Sequence, residues 1–328
     1  MTPLANPGRA HHWSQALLAL LLPATTLLAG PAEANPQPLR FVVITKVSHP
    51  WYDVVRGGAE AAAAMIQRQS GAAATIDYQA PAKAEVTAQA ELLKTAIRSR
   101  PTGITIDLLD AVRLQPLLEQ ARQQGIAVNV FDSEPPSGLP LTSIGNDFCQ
   151  QARIASERLV QLLGGRGEVA IMQGVPTAPN HAIRVRCHRD VFARHAGIRV
   201  VATPVDNDSI ATAEQQALTT MQTHPQLRGW VVADAGGGIG IGRAIQTLGR
   251  TGKVKVVALD DLPEQLQLIR SGVVDSTAAT KPRAQGYWAV VNLWQQQLGA
   301  PPIERIDTGI AVHTRAEGGS PSGEPNAR

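Results

Sequence analysis

From Leu39 to Leu298 the chain alternates short apolar runs with longer amphipathic ones, and this alternation restricts the fold more than any other feature. The apolar runs predict strands over 40–46, 74–79, 103–107, 127–131 and 143–144, then over 168–173, 199–204, 228–233, 253–259 and 276–279. Helical periodicity falls between them, over 51–69, 84–98, 114–124, 150–163, 182–195, 211–223, 239–248, 263–271 and 283–298. A strand followed by a helix, repeated this often, implies parallel sheets with helices on their faces. With 328 residues, 44% of them hydrophobic, the chain is long enough for two such doubly wound domains. Aromatics make up 4%, and the alanine-rich remainder suits helices packed closely on a sheet. Pro135-Pro136-Ser137-Gly138 reads as a loop between the halves, and 317–328 as a disordered tail without apolar periodicity.

The first 34 residues follow a different rule. A basic start (Arg9, His11, His12) precedes the apolar run from Ala16 to Leu22, and Ala32-Glu33-Ala34 has the form of a cleavage site. The run is short for a membrane span and broken by Pro23, so 1–34 reads as a cleaved secretory signal. Export to an oxidising compartment permits a disulfide between Cys149 and Cys187; two small buried thiols are the alternative. The formal charge of +3 is spread over scattered arginines with no basic block, which argues against nucleic acid as a partner.

"VVADAGGGIGIGRA", Val231 to Ala244, first suggests a dinucleotide-binding turn, with Asp260 as the ribose-binding carboxylate. That fingerprint needs glycines at relative positions 1, 3 and 6. Gly236 and Gly238 would require one at Ile241, and Gly238 and Gly240 one at Arg243. The spacing fails, so a secreted nicotinamide enzyme is the weakest reading and no cofactor is expected. The glycines instead let the backbone pass close to a cleft.

In open α/β sheets ligands bind beyond the carboxyl ends of the strands. The residues there include His49, Trp51 and Tyr52, then Asp107, Asp132, 206–208, Asp234, Asp260 and Thr280. Carboxylates that accept from hydroxyls, beside an aromatic face that covers C–H groups, are what a hydroxyl-rich solute requires. Each aspartate alone could equally be a helix cap. His181, His188 and His195 recur every seven residues on one helix face, about 10 Å apart, too far for one metal ion, and read as surface or partly buried histidines. Cys187-His188 offers no oriented base for catalysis.

The order of motifs resembles the ribose/galactose-type (type I) periplasmic binding proteins, the sugar-binding subunits of ABC importers. "SHPWYDVVRGGAEAAA", "QAELLKTAIRSRPTGITI", "LLEQARQQGIAVNVFDSE", "IGNDFCQQARIASERLVQLLGGRGEVAIMQG", "RVRCHRDVFARHAGIRVVAT", "HPQLRGWVVAD", "VVALDDLPE" and "STAATKP" carry the resemblance from Phe41 to about Val312. It implies two Rossmann-like lobes of parallel sheet joined by a three-crossover hinge, one from 36–144 with 281–309, the other from 145–280 with 310–316. It implies ligand contacts at His49, Trp51, Tyr52, Asp132, Ser133, Arg186, Asn207, Asp234, Asp260 and Thr280, with Arg184 as fallback because a shorter loop blurs the register; Asp107 joins them by its place just after a strand. Ser133, Asp234, Asn207 and Thr280 depart from the ribose binders' arginine, asparagine, aromatic and glutamine, and Cys187-His188 from their glycine and phenylalanine. A different monosaccharide, a polyol or a related polar solute is therefore expected.

The expected partners are that solute and an ABC permease, with the chain periplasmic, monomeric and not an enzyme. A sensor presenting ligand to a chemoreceptor or histidine-kinase ectodomain is the alternative. A LacI-type repressor is discarded, since a signal segment replaces the helix-turn-helix.

Overall fold

A computed structural model describes residues 37–301 and 303–315. The signal segment 1–34 and the tail 317–328 expected from the sequence lie outside the described residues. All ten predicted strands and all nine predicted helices are present. In chain order the first half runs β1 (Leu39–Ile44), α1 (Pro50–Ser70), β2 (Ala74–Gln79), α2 (Val86–Arg98), β3 (Gly103–Ile106), α3 (Ala111–Gln123), β4 (Ala127–Phe131) and β5 (Thr142–Gly145). The second half runs α4 (Phe148–Leu162), β6 (Arg166–Met172), α5 (Pro179–Phe192), β7 (Gly197–Ala202), α6 (Ile210–Thr223), β8 (Leu227–Val232), α7 (Gly237–Thr247), β9 (Lys255–Leu259), α8 (Pro263–Arg270) and β10 (Ser276–Ala279). Helix α9 (Pro282–Gln297) follows, then the short strands β11 (Arg305–Asp307) and β12 (Ala311–Thr314).

The strands form two six-stranded sheets, ordered β11-β5-β4-β3-β1-β2 and β12-β10-β9-β8-β6-β7. Every pairing is parallel except β10 with β12. Parallel neighbours cannot be joined by a tight turn, so a helix carries each return and covers a face. Strands β3, β4 and β5 are accordingly buried at every position. The described residues lie in one compact unit.

The chain passes between the sheets three times. It leaves the first after β5, since α4 packs on β8, β9 and β10; it returns after β10, since α9 packs on α1, β3 and β4; and it crosses again from β11 to β12. Helices α1 and α9 approach very closely: a Cβ on Gly58 would lie 2.0 Å from Arg283 O, and one on Gly286 2.0 Å from Val55 O. The glycines after β8 are helical, with α7 starting at Gly237. Their role is packing: a Cβ on Gly238 would meet Ala258 Cβ at 2.6 Å, on Gly240 Ala213 Cβ at 2.6 Å, and on Gly242 Leu268 Cδ1 at 2.7 Å.

Cys149 of α4 and Cys187 of α5 are bridged, with their Cα atoms 5.4 Å apart. His181 and His188 correct the expectation of surface or partly buried histidines: they are 2% and 0% exposed. His188 is structural. Its Nε2 donates to Val232 O at 3.0 Å, Nδ1 accepts from Ser156 Oγ at 2.6 Å, and burial lowers its pKa to about 4.

Candidate functional site

In each sheet the strand order reverses once, between β1 and β3 in the first and between β6 and β8 in the second. A doubly wound sheet opens a crevice at that point, outside its carboxyl edge. Lys46 and Asp107 follow β1 and β3, and Asp234 follows β8. The two crevices meet in one narrow chamber of about 20 Å³. Lys46, His49, Trp51, Tyr52 and Asp132 line it from the first half; His181, Arg184, Asp208, Asp234, Ala235 and Asp260 line it from the second.

The first wall is organised around a buried ion pair. Lys46 Nζ lies 2.7 Å from Asp107 Oδ2, with the two side chains 1% and 0% exposed. Tyr52 Oη donates to the same oxygen at 2.7 Å. Two donors converge on that oxygen; burial pushes the Asp107 carboxyl up to about 8, and the nearby Lys46 ammonium pulls it the other way. His49 caps α1: its Nδ1 accepts from Trp51 N at 3.2 Å, with Pro50 preset for the first turn. Nδ1 is therefore unprotonated in the neutral ring, and Nε2, buried without a partner, carries the proton. Burial lowers the His49 pKa, which keeps the ring neutral. Trp51 Nε1 donates to Thr280 Oγ1 at 3.0 Å, and the Thr280 hydroxyl in turn bonds Asp260 Oδ1.

The second wall comes mostly from α5 and three strand-end aspartates. Asn180 Nδ2 donates to Asp132 Oδ2 at 2.7 Å, while Asn180 Oδ1 accepts from Lys46 Nζ at 3.4 Å. Arg184 donates to Gln151 Oε1 at 2.9 Å, Ala233 O at 3.1 Å and Asp132 Oδ1 at 3.4 Å. Asn180 and Arg184 thus bond groups of the opposite half directly. Asp234 Oδ2 accepts from Gly236 N and Gly237 N at 3.0 and 3.2 Å, anchoring the start of α7. His181 Nδ1 accepts from Val175 N at 2.8 Å, so its Nε2–H faces Asp208 Oδ1, 3.7 Å away.

Asp132, Asp208 and Asp260 all hold left-handed backbone, with φ of 41°, 59° and 62°. Such conformations are costly for residues other than glycine, least so for Asp and Asn, and they concentrate where a side chain must be aimed. Burial pushes the Asp234 carboxyl up to about 7 and Asp260 up to about 6. It also raises Asp206 and Asp208, which stand close to Asp234.

Of the residues expected from the sequence, His49, Trp51, Tyr52, Asp132, Asp234 and Asp260 line the chamber. Asp107 and Thr280 sit behind it, holding Lys46, Tyr52, Trp51 and Asp260 in place. Three expectations are corrected. Arg186 is exposed and points away, because two residues along a helix turn a side chain to the opposite face; the fallback Arg184, 2% exposed, enters the chamber. Asn207 is exposed at the mouth, and the left-handed pair at 207–208 turns Asp208 inward instead. Ser133 is buried beside the site, its carbonyl accepting from Ser143 Oγ at 2.8 Å, without lining the chamber. Lys46, Asn180 and His181 were not anticipated; Asn180 and His181 lie one helical turn before Arg184, the phase that would have found them.

Comparison with known proteins gives the same frame. The model of the periplasmic binding protein domain matches residues 41–301. The D-ribose/D-allose-binding protein of Pseudomonas aeruginosa is 25% identical over 229 residues, 68% of this chain and 72% of its own. A solute-binding protein of an ABC transporter from Burkholderia graminis, solved with D-arabinose, superposes with a TM-score of 0.79 at 28% identity, covering 85% of this chain and 96% of that one. One from Agrobacterium vitis, solved with α-D-tagatopyranose, gives a TM-score of 0.79 at 26% identity and covers 85% and 95%.

Proposed function

The chain belongs to the periplasmic binding protein domain family, and on that premise we propose that it is the sugar- or polyol-binding subunit of an ABC importer. In this reading the signal segment is removed after Ala34, and the mature protein works in the periplasm as a monomer. One lobe comprises 36–144 and 281–309, the other 145–280 and 310–316. The solute is captured between them, and the closed form is presented to the permease.

The observation that carries the reading is the polar chamber at the two switch points, bridged by Asn180 and Arg184. A solute hydroxyl placed there meets donors on Lys46, His49 and Arg184 and acceptors on Asp132, Asp208 and Asp260. The Trp51 ring offers an apolar face to its C–H side. An epimer that misplaces one hydroxyl leaves a buried partner unsatisfied, at about 1–3 kcal/mol, which sets the selectivity. The work is binding alone: the closed form gains only what the solute binds it better than the open one.

Native mass spectrometry of freshly purified protein, followed by a thermal-shift screen of pentoses, hexoses, pentitols and inositols, tests this. A co-purified adduct of monosaccharide size, or a saturable shift with one of these solutes, is the expected result. No adduct and no shift across the whole screen refutes it.

A further inference from the structure

The chamber and its walls hold more carboxyl groups than their own cations can balance. Lys46 is spent on Asp107 at 2.7 Å, and Asp132 is satisfied by Arg184 at 3.4 Å and Asn180 at 2.7 Å. Asp208, Asp234 and Asp260 remain, and among the described residues none of them has a lysine or arginine nitrogen within ion-pair distance. Among the described residues, His181 is the one basic group within ion-pair distance of Asp208, and burial pushes its pKa well below 6.5, so it stays neutral; Lys46, His49 and Arg184 act on Asp208 from farther away. Asp234 is 1% exposed and its Oδ1 has no hydrogen-bond donor; Asp208 Oδ2 has none either. Asp206 stands against Asp234 and burial raises both carboxyls, Asp234 to about 7, so above that pH the pair takes on negative charge with no lysine or arginine of the described residues in ion-pair distance. Uncompensated carboxylates screened from water are costly, and a cationic partner is what relieves them.

A metal ion does not fit: among the described residues no group of three or more His, Cys, Asp or Glu side chains could hold one. An ammonium does. It brings three donors and one charge, and needs no fixed coordination geometry. Resting on the solute-binding reading above, we infer that the solute carries a protonated amine beside its hydroxyls, an amino sugar or aminopolyol, with the ammonium seated against Asp208 and Asp234. Its hydroxyls then face Lys46, His49 and Arg184.

The test is a panel of matched pairs: pentoses, hexoses and pentitols beside the derivatives in which one hydroxyl is replaced by an amine, ranked by thermal shift and measured by calorimetry. The expected result is an amine that binds at least tenfold tighter than its hydroxyl parent. Asp208→Asn, which keeps the shape and tolerates the left-handed backbone, brings that ratio close to one; Asp234→Asn is the second variant and lowers it as well. If hydroxyl parents bind as tightly as their amines throughout, or both variants leave the ratio unchanged, the ammonium assignment is overturned and solute binding stands. If neither class binds, both fall.

Discussion

Two arginines of α5, two residues apart, make opposite predictions, and replacing each in turn tests the geometry of the chamber. Arg184 is 2% exposed and bonds Gln151, Ala233 and Asp132, with its guanidinium 5.0 Å over the Phe148 ring. Arg184→Met keeps the apolar stem but removes every donor. Ala233 O then loses its side-chain partner, while Gln151 Oε1 retains Asn146 Nδ2 at 3.2 Å. Asp132 loses its cation. Breaking a buried pair from one side costs about 3–5 kcal/mol, so the unliganded protein should unfold at visibly lower denaturant.

Truncating one member of a buried, hydrogen-bonded charge pair also weakens binding by at least about 2 kcal/mol, or about 30-fold. At a solute concentration of about 100 times the wild-type Kd, stabilisation is about 2.7 kcal/mol; a 30-fold weaker site leaves about 0.9. Arg186→Ala, on the exposed face, should change stability by no more than about 0.5 kcal/mol and leave affinity alone. Calorimetry and chemical unfolding, with and without the best solute of the screen, measure both. Arg186→Ala weakening binding as much as Arg184→Met, or Arg184→Met binding within threefold of wild type, would refute the placement.

Three further outcomes follow from the packing and the charges. Gly58→Ala and Gly286→Ala each drive a methyl into a backbone carbonyl of the facing helix, 2.0 Å from the built Cβ in both cases. Each should cost at least about 1–3 kcal/mol by urea denaturation, and an unchanged midpoint would mean that α1 and α9 separate freely. Reducing the Cys149–Cys187 bridge, which spans 38 residues, releases loop entropy worth about 4 kcal/mol; the midpoint with reductant should fall, and Cys149→Ala should match it. Asp234 is pushed up to about 7 by burial, from a usual value of 3.8. The folded protein therefore holds a proton that the unfolded chain releases, and that advantage is lost as pH rises from about 4 to about 7. Asp234→Asn should gain on wild type in stability between pH 5 and pH 8 without solute; a gap independent of pH would contradict the assignment.

The strands and helices were legible because periods of two and 3.6 are local properties of the sequence. Strands β11 and β12, three and four residues long, have no such signal; pairing with β5 and β10 fixes them. His49, Trp51, Asp132, Asp234 and Asp260 were legible for a related reason. A residue just after a parallel strand lies at the carboxyl edge of the sheet whatever the rest of the chain does. Lys46 belongs to the same class, but the strand was read two residues too long and absorbed it, since β1 ends at Ile44.

Phase was harder to read. Asn207 and Asp208 exchange roles because two successive left-handed residues reverse which side chain faces inward, and no composition rule encodes that. The choice between Arg184 and Arg186 depends on where α5 starts, at Pro179, and a one-residue error there turns the helix by about 100°. The sequence held one marker of that phase. Cys187 must face α4 for the bridge to Cys149 to form. Arg184, three residues before it, lies about 60° from that direction, and Arg186, one residue before, about 100°. Gln151, two residues past Cys149 on α4, then accepts from Arg184 at 2.9 Å. Leaving the bridge open therefore left the arginine open too: the same covalent contact that ties α4 to α5 sets which of the two guanidinium groups enters the chamber.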